Sequence, residues 1–174
     1  MQINFIHMKQ FISLLTFLFL ASSVYSQGDL HKSLFINSFI KNIEWPEEYK
    51  TGNIVVAVYS DDFLATIFFN DMDNVQCGSQ LINVKIVNTY ISEERYHILY
   101  VTDLHSTELA EICEYYKNTS TLIVSETLGV IRQGADINLV VVNGRLMYEL
   151  MPDRLNAKNL KYSEEFLKRG REIH

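Results

Sequence analysis

Acidic and hydroxyl side chains stand directly after three apolar stretches of the sequence. Asp61 and Asp62 follow the first stretch, Asp103 follows the second, and Glu126 follows the third between Ser125 and Thr127. Ligands of open parallel sheets bind beyond the carboxyl ends of the strands, so we expect these side chains to face one crevice. Carboxylates are the ligands that a hard cation such as Mg²⁺ prefers, and a carboxylate beside Mg²⁺ can accept a phosphoryl group.

This layout is similar to that of phospho-accepting receiver domains, but two observations oppose that interpretation. No Lys follows the strand predicted over Ile137–Val142, and the export predicted below would separate the chain from cytoplasmic phosphodonors. Helix capping by Asp61, Asp62 and Ser106 explains most of the same residues. We therefore favour capping over phosphoryl chemistry.

Two histidines, His97 and His105, are the remaining candidates for a metal ligand or a general base. Neither has a second His or Cys at ligand spacing, and His97 opens an apolar strand, which favours a structural role. The sequence contains no Gly-x-Ser-x-Gly elbow, no Gly-rich phosphate loop and no Cys-x-x-Cys pair. We predict no cofactor, no metal and no catalytic activity.

The first 26 residues have the layout of a secretory signal peptide. Lys9 gives the positive start, an apolar run extends from Phe11 to Leu20, and small residues lie near Ser26. The run is shorter than the roughly 20 apolar residues of a membrane span, so we predict cleavage and no membrane insertion afterwards. The mature chain would comprise residues 27–174, in the periplasm.

Charge and cysteine content limit the partners and the chemistry. Loss of Lys9 changes the net charge from -6 to -7, and such an acidic domain is a poor candidate for binding nucleic acid. Cys77 and Cys113 are the two cysteines, and an oxidising compartment would permit a disulfide between them. Two partly buried free thiols are the alternative.

Strands and helices alternate through the mature chain. A helical stripe of Ile36, Phe39, Ile40 and Ile43 begins it, and Pro46 is expected to end this helix at Trp45. The predicted strands are Asn53–Tyr59, Val84–Val87, His97–Thr102, Thr121–Ser125 and Ile137–Val142, and the later helices are Phe63–Phe69, Ser106–Lys117 and Ser163–Gly170.

This alternation predicts one domain of the α/β class. We expect a three-layer α/β/α sandwich, with helices on both faces of a mostly parallel sheet. Asn143-Gly144 between two apolar runs predicts a C-terminal antiparallel hairpin at one edge of the sheet.

From Lys32 to Gly170 the order of these segments resembles the YfiR family. The matching features are Lys32 opening the first helix, Trp45-Pro46 closing it, Gly134 before a strand, and Glu149 in "LMYEL" at the acidic position of the family. Tyr96 stands where the family often has a Cys, so the family's disulfide pattern is not carried over. The tail "YSEEFLKRG" is also more charged than is usual in the family.

The resemblance implies a non-enzymatic periplasmic regulator that binds the outer part of an inner-membrane signalling protein. In the best-known case the target is a diguanylate cyclase, which is held inactive until envelope or redox stress releases it. Other family members accompany sensor histidine kinases. The resemblance leaves open whether the regulator is a homodimer.

An exposed aromatic residue beside acids can anchor a protein interface. The predicted partner surface therefore joins Glu44 and Trp45 to Asp61, Asp103 and Glu126, although burial of Trp45 is an alternative because most Trp side chains are largely buried. The second functional hypothesis is a periplasmic small-ligand-binding protein or metal-dependent hydrolase that uses the acidic crevice.

Overall fold

The structure is a computed structural model that describes residues 32–61, 67 and 69–173. The predicted signal peptide lies outside these residues, as does most of the predicted helix Phe63–Phe69, of which residues 67 and 69 are described and helical. Within the described residues, no helix is both long enough and apolar enough to cross a membrane.

A mixed sheet forms the centre of the fold. The bounds of its eight strands, among the described residues, are β2 Ile54–Tyr59, β3 Gln76–Cys77, β4 Gln80–Val87, β5 Ile98–Val101, β6 Leu122–Ser125, β7 Ile137–Val142, β8 Arg145–Leu150 and β10 Arg171–Glu172. Their order in the sheet is β10-β8-β7-β6-β5-β2-β4-β3. The five strands β4, β2, β5, β6 and β7 are parallel, as predicted. A separate two-stranded sheet pairs β1 (Ile43–Glu44) with β9 (Lys161–Tyr162).

Helices cover both faces of this sheet, which confirms the predicted α/β sandwich. One face packs against α1 (residues 32–42) and α4 (Glu164–Arg169), through side chains such as Phe39 and Phe166. The other face packs against α2 (Leu109–Tyr116), which a 3₁₀ helix at Asp103–Glu108 precedes. A short α3 (Pro152–Ala157), which the sequence did not predict, follows β8.

The hairpin at Asn143-Gly144 forms as predicted between β7 and β8. Both turn residues have positive φ, 52° and 74°, as a tight hairpin turn of this kind requires. β8 is not the edge of the sheet, however, because the short β10 pairs parallel to it and lies outside it.

The first helix ends at residue 42, earlier than the sequence predicts, because Ile43 and Glu44 pair with Tyr162 and Lys161. Trp45 therefore lies beyond the helix and is buried, with 7% of its side chain exposed. Its indole N–H donates to the carbonyl of Ser120 at 3.0 Å. This places Trp45 at the amino ends of the parallel strands, just ahead of β6.

His97 lies beside Trp45, with ring centroids 5.6 Å apart, and joins two backbone segments. Its Nδ1 accepts the N–H of Val55 at 3.1 Å, so its Nε2 must carry the proton that is donated to the carbonyl of Tyr49 at 2.8 Å. Burial lowers the pKa of His97. The histidine is thus a neutral structural group, in agreement with the role that the sequence favoured.

We expect replacement of Trp45 by Phe to lower the free energy of unfolding by about 2 kcal/mol, because the buried carbonyl of Ser120 loses its donor and the smaller ring leaves a gap. Urea unfolding followed by circular dichroism measures this difference. The control is Tyr115→Phe, at a half-exposed aromatic residue, where we expect a change within about 0.5 kcal/mol. Equal stability of W45F and the unmodified protein would contradict the buried hydrogen bond.

Acid should destabilise the fold through His97. The pKa of His97 is lower in the folded protein than in the unfolded chain. As the pH falls below about 6.5, the unfolded chain therefore binds a proton at His97 before the folded protein does. The folded state loses stability until the pH has passed the folded pKa. The loss should approach about 1.4 kcal/mol per pH unit in that window. Denaturant unfolding of the unmodified protein and of H97Q between about pH 7.5 and pH 5 isolates this component, because the variant should lack it. Parallel pH profiles for the two proteins would rule out the assignment.

Candidate functional site

The predicted crevice lies where the strand order reverses. From β2 the chain continues to β4 on one side, then returns to β5 on the other, so the carboxyl ends of β2 and β5 flank the reversal. Asp61 follows the first of these ends and Asp103 the second. The polar side chains at this end of the sheet form two groups.

The first group, the histidine cluster, consists of Tyr59, Asp61, His105 and Glu108. The His105 ring stacks on Tyr59 with centroids 3.9 Å apart and planes inclined by 24°. Oε2 of Glu108 accepts a hydrogen bond from the Tyr59 hydroxyl at 2.7 Å, and Oε1 of Glu108 lies 3.0 Å from Nδ1 of His105. Asp61, which is 70% exposed, places its Oδ2 3.5 Å from Nε2 of the same ring.

Hydrogen bonds and burial set the charge states of Glu108 and Tyr59 in this cluster. Hydrogen bonds from His105 and Tyr59 lower the pKa of Glu108, so Glu108 is an ionised acceptor at neutral pH. Burial, followed by the bond to Glu108, raises the pKa of Tyr59 to about 12. Nδ1 of His105 must then carry a proton, while Nε2 is buried and has no hydrogen-bond partner among the described residues. A buried Nε2 is poorly placed to take a proton from a substrate.

The second group, the glutamate network, consists of Lys32, Tyr100, Asp103, Glu126 and Thr127. Oε2 of Glu126 lies 2.5 Å from both the ammonium of Lys32 and the hydroxyl of Tyr100. Its Oε1 accepts the backbone N–H of Asp103 at 3.0 Å, and Oδ1 of Asp103 accepts the Thr127 hydroxyl at 2.7 Å. Glu126 thus joins the first described turn of α1 to the ends of β5 and β6.

A cavity of about 450 Å³ lies beside the glutamate network. One side is polar, and apolar side chains from the end of β6 and from the β7–β8 hairpin form the other. The lining residues are Lys32, Asp103, Glu126, Thr127, Leu128, Leu139, Val141 and Leu146.

Below this network, Asn138 is a polar residue within the apolar strand β7, and it is fully buried. Its Oδ1 accepts the Ser125 hydroxyl at 2.6 Å, and its Nδ2 donates to the carbonyl of Thr127 at 2.9 Å. Asn138 therefore fixes the backbone that carries Glu126 and Thr127. The single amide in the apolar run "INLVVV" is the sequence signal for this role.

The structure separates the predicted partner surface into two parts. Asp61, Asp103 and Glu126 share the carboxyl end of the sheet, as expected. Glu44 and Trp45 lie at the amino end, and Trp45 is buried against His97. The prediction that Trp45 anchors one surface with the three acids is therefore wrong, because α1 runs the length of the sheet between them.

Comparison with known proteins identifies the family. A family model described as YfiR/HmsC-like matches residues 30–171. The chain belongs to the YfiR/HmsC-like family. The resemblance seen in the sequence is thereby confirmed, and YfiR-family proteins are periplasmic regulators of membrane signalling proteins. None of the curated proteins matches the sequence.

Each of the remaining YfiR/HmsC-like landmarks has a physical role in the structure. Pro46 precedes a 3₁₀ turn over Glu47–Tyr49. Gly134 has φ of 137°, and a Cβ there would lie 2.5 Å from Cβ of Cys113, so only glycine fits. Glu149 is buried on β8 and pairs with Arg171 of β10.

The two cysteines of this YfiR/HmsC-like chain are free thiols, contrary to the disulfide that the sequence permitted. Cys77 packs with the residues that cover one face of the sheet, and Cys113 packs with those on the other face. The sheet lies between them and prevents a bridge. Burial, more than the nearby Asp136, raises the pKa of Cys113 to about 12, which makes this thiol unreactive.

No cluster of three or more His, Cys, Asp or Glu side chains suited to a metal ion occurs among residues 32–61, 67 and 69–173. At the carboxyl end, hydrogen bonds and ion pairs already engage the oxygens of Glu126 and Glu108. The geometry suits a preorganised binding surface.

We expect thiol titration of the denatured protein without reductant to find two thiols. In the folded protein Cys113 should react at least about tenfold more slowly than it does when unfolded, because burial suppresses its thiolate. The variants C77S and C113S assign each rate to one residue. Finding no thiol until a reductant is added would contradict the separation of the two cysteines.

Proposed function

We propose that this protein is a periplasmic regulator that binds the exported part of an inner-membrane signalling protein and controls its output. The target is a diguanylate cyclase or a sensor histidine kinase. The observation that carries the proposal is the match of residues 30–171 to a family whose members regulate such proteins.

Export is the first component of the proposal. Residues 1–26 act as a cleaved signal peptide, and residues 27–174 form the regulatory domain in the periplasm. The family's periplasmic location supports this assignment. The domain then works at the outer surface of the inner membrane without inserting into it.

Binding without turnover is the second component. Three donors engage Glu126, and the Nε2 atom of His105 is buried. Groups held in this way support recognition better than proton transfer or nucleophilic attack. A regulator of this kind must bind one state of its target more tightly than another, since equal affinity for the two states would leave the signalling equilibrium unchanged.

One observation favours a second candidate, a small-ligand-binding protein. The cavity of about 450 Å³ at the glutamate network falls within the size range of small-molecule sites, and its lining is partly apolar. Native mass spectrometry of the protein purified from its own host tests this candidate. A stoichiometric small molecule bound to the protein would favour it.

We expect deletion of the gene in the native host to change cyclic di-GMP levels or kinase output several-fold. The full chain should restore the output. A chain lacking residues 1–26 provides the matched control, because it would stay in the cytoplasm and should fail to restore the output. Affinity purification of the exported protein with solubilised membranes should recover the signalling protein.

Two outcomes would contradict the proposed function. Unchanged signalling output on deletion is one, and complementation by the chain without residues 1–26 is the other. Intact-mass analysis of the exported protein, with an expected start at or near Gln27, verifies that the full chain was processed.

A further inference from the structure

Three strongly exposed apolar side chains lie at the carboxyl end of the sheet. Leu104 is 71% exposed, Leu128 82% and Val141 65%. They follow or end the strands β5, β6 and β7, which are neighbours in the sheet. One exposed apolar side chain is ordinary, but Leu128 and Val141 line one cavity, and exposed apolar side chains that lie together mark an interaction site.

Carboxylates accompany this apolar patch. Asp103 and Glu126 line the same cavity as Leu128 and Val141. We call these five residues, Leu104, Leu128, Val141, Asp103 and Glu126, the carboxyl edge.

The charge of this end of the sheet is negative. Asp61 and Glu108 of the histidine cluster add two carboxylates to those of Asp103 and Glu126. Two cations also lie at this end: Lys32, which is already paired with Glu126, and Arg145, which begins β8 opposite Val142. The four carboxylates outnumber these two cations, and the net charge of the whole chain, -6, has the same sign.

We propose that the carboxyl edge docks a segment of the signalling protein in which Lys or Arg side chains flank apolar ones. This inference rests on the proposed function and specifies which surface carries it. The apolar side chains of the segment would pack on Leu128 and Val141 and enter the cavity, where Leu139 and Leu146 form the apolar wall. A cation of the segment would lie against Asp103.

Preorganisation supports this role. The Thr127 hydroxyl orients the carboxylate of Asp103, and three donors hold Glu126. Charged groups that are already fixed lose little side-chain entropy when a partner arrives. Opposite charge accelerates the encounter of two proteins and sets its register, while apolar contact at the centre supplies most of the affinity.

Charge also decides between a signalling protein and a second copy of this chain. Two copies that met through this edge would bring like carboxylates together, which costs free energy. A basic, partly apolar segment matches both the negative charge of the carboxyl edge and its exposed apolar side chains.

The test uses the exported protein and the periplasmic segment of the membrane protein that co-purifies with it. In L128S/V141S the apolar contact is lost without a change of charge, and we expect binding to weaken by about tenfold or more. In D103N the charge is lost with little change of shape, so binding should weaken a few-fold and depend less on salt. Isothermal titration at two ionic strengths measures both effects.

Matched controls come from the opposite end of the sheet. Leu81, which is 43% exposed near the start of β4, gives L81S, and the exposed Asp71 gives D71N. Both controls should bind within about twofold of the unmodified protein. Thermal unfolding of every variant verifies the fold. A photocrosslinking amino acid in place of Leu128 should capture a partner peptide that contains Lys or Arg.

The outcomes separate this inference from the proposed function. If the signalling protein co-purifies but neither edge variant weakens its binding, the carboxyl edge is refuted and the proposed function stands. If no signalling protein co-purifies and signalling output is unchanged on deletion of the gene, both the carboxyl-edge inference and the proposed function are refuted. Crosslinked peptides without basic residues would refute the charge argument, and self-association that L128S/V141S abolishes would identify a second copy as the occupant.

Discussion

Burial of both faces of the central strands is the constraint on which the rest of the structure depends. Successive residues of β2 enter opposite cores, with Val56 and Val58 on one side and Val55 and Ala57 on the other. A strand covered on both faces has little room for polar side chains along its length. Polar chemistry is therefore concentrated at the strand ends.

The two ends of the sheet use their polar groups differently. At the amino end, Asp136 is fully buried, lies 2.6 Å from the ammonium of Lys158 and accepts the N–H of Ile123. The indole of Trp45 and the ring of His97 complete hydrogen bonds to backbone groups nearby. These groups join loops to the core. At the carboxyl end, comparable networks leave Asp103 and the neighbouring leucines in contact with solvent.

The sequence predicted those features that depend on local pattern. The apolar run of β2 and the Asn143-Gly144 turn specify their own conformations, so both predictions were confirmed. The predictions that failed were ones that needed specific tertiary contacts. The two-residue strands β1 and β9 have no periodicity to detect, and their pairing ends α1 before Trp45.

The sequence placed Asp61, Asp103 and Glu126 at one end of the sheet correctly, because strand direction alone decides that. It could not show that Trp45 and the three acids lie at opposite ends of the sheet, or that the two cysteines lie on opposite faces, since both depend on tertiary contacts.

The ion pair between Lys32 and Glu126 has a practical consequence for protein engineering. It fixes the beginning of the described chain beside the carboxyl edge, whereas β10 ends at the other end of the sheet, where Ile173 donates its N–H to the carbonyl of Leu150. An affinity tag or fluorescent protein fused ahead of Lys32 would thus leave the fold next to Asp103 and Leu128 and obstruct them. The same fusion at the carboxyl terminus leaves that region open, which makes it the preferred position for labels, surface immobilisation and reporter fusions.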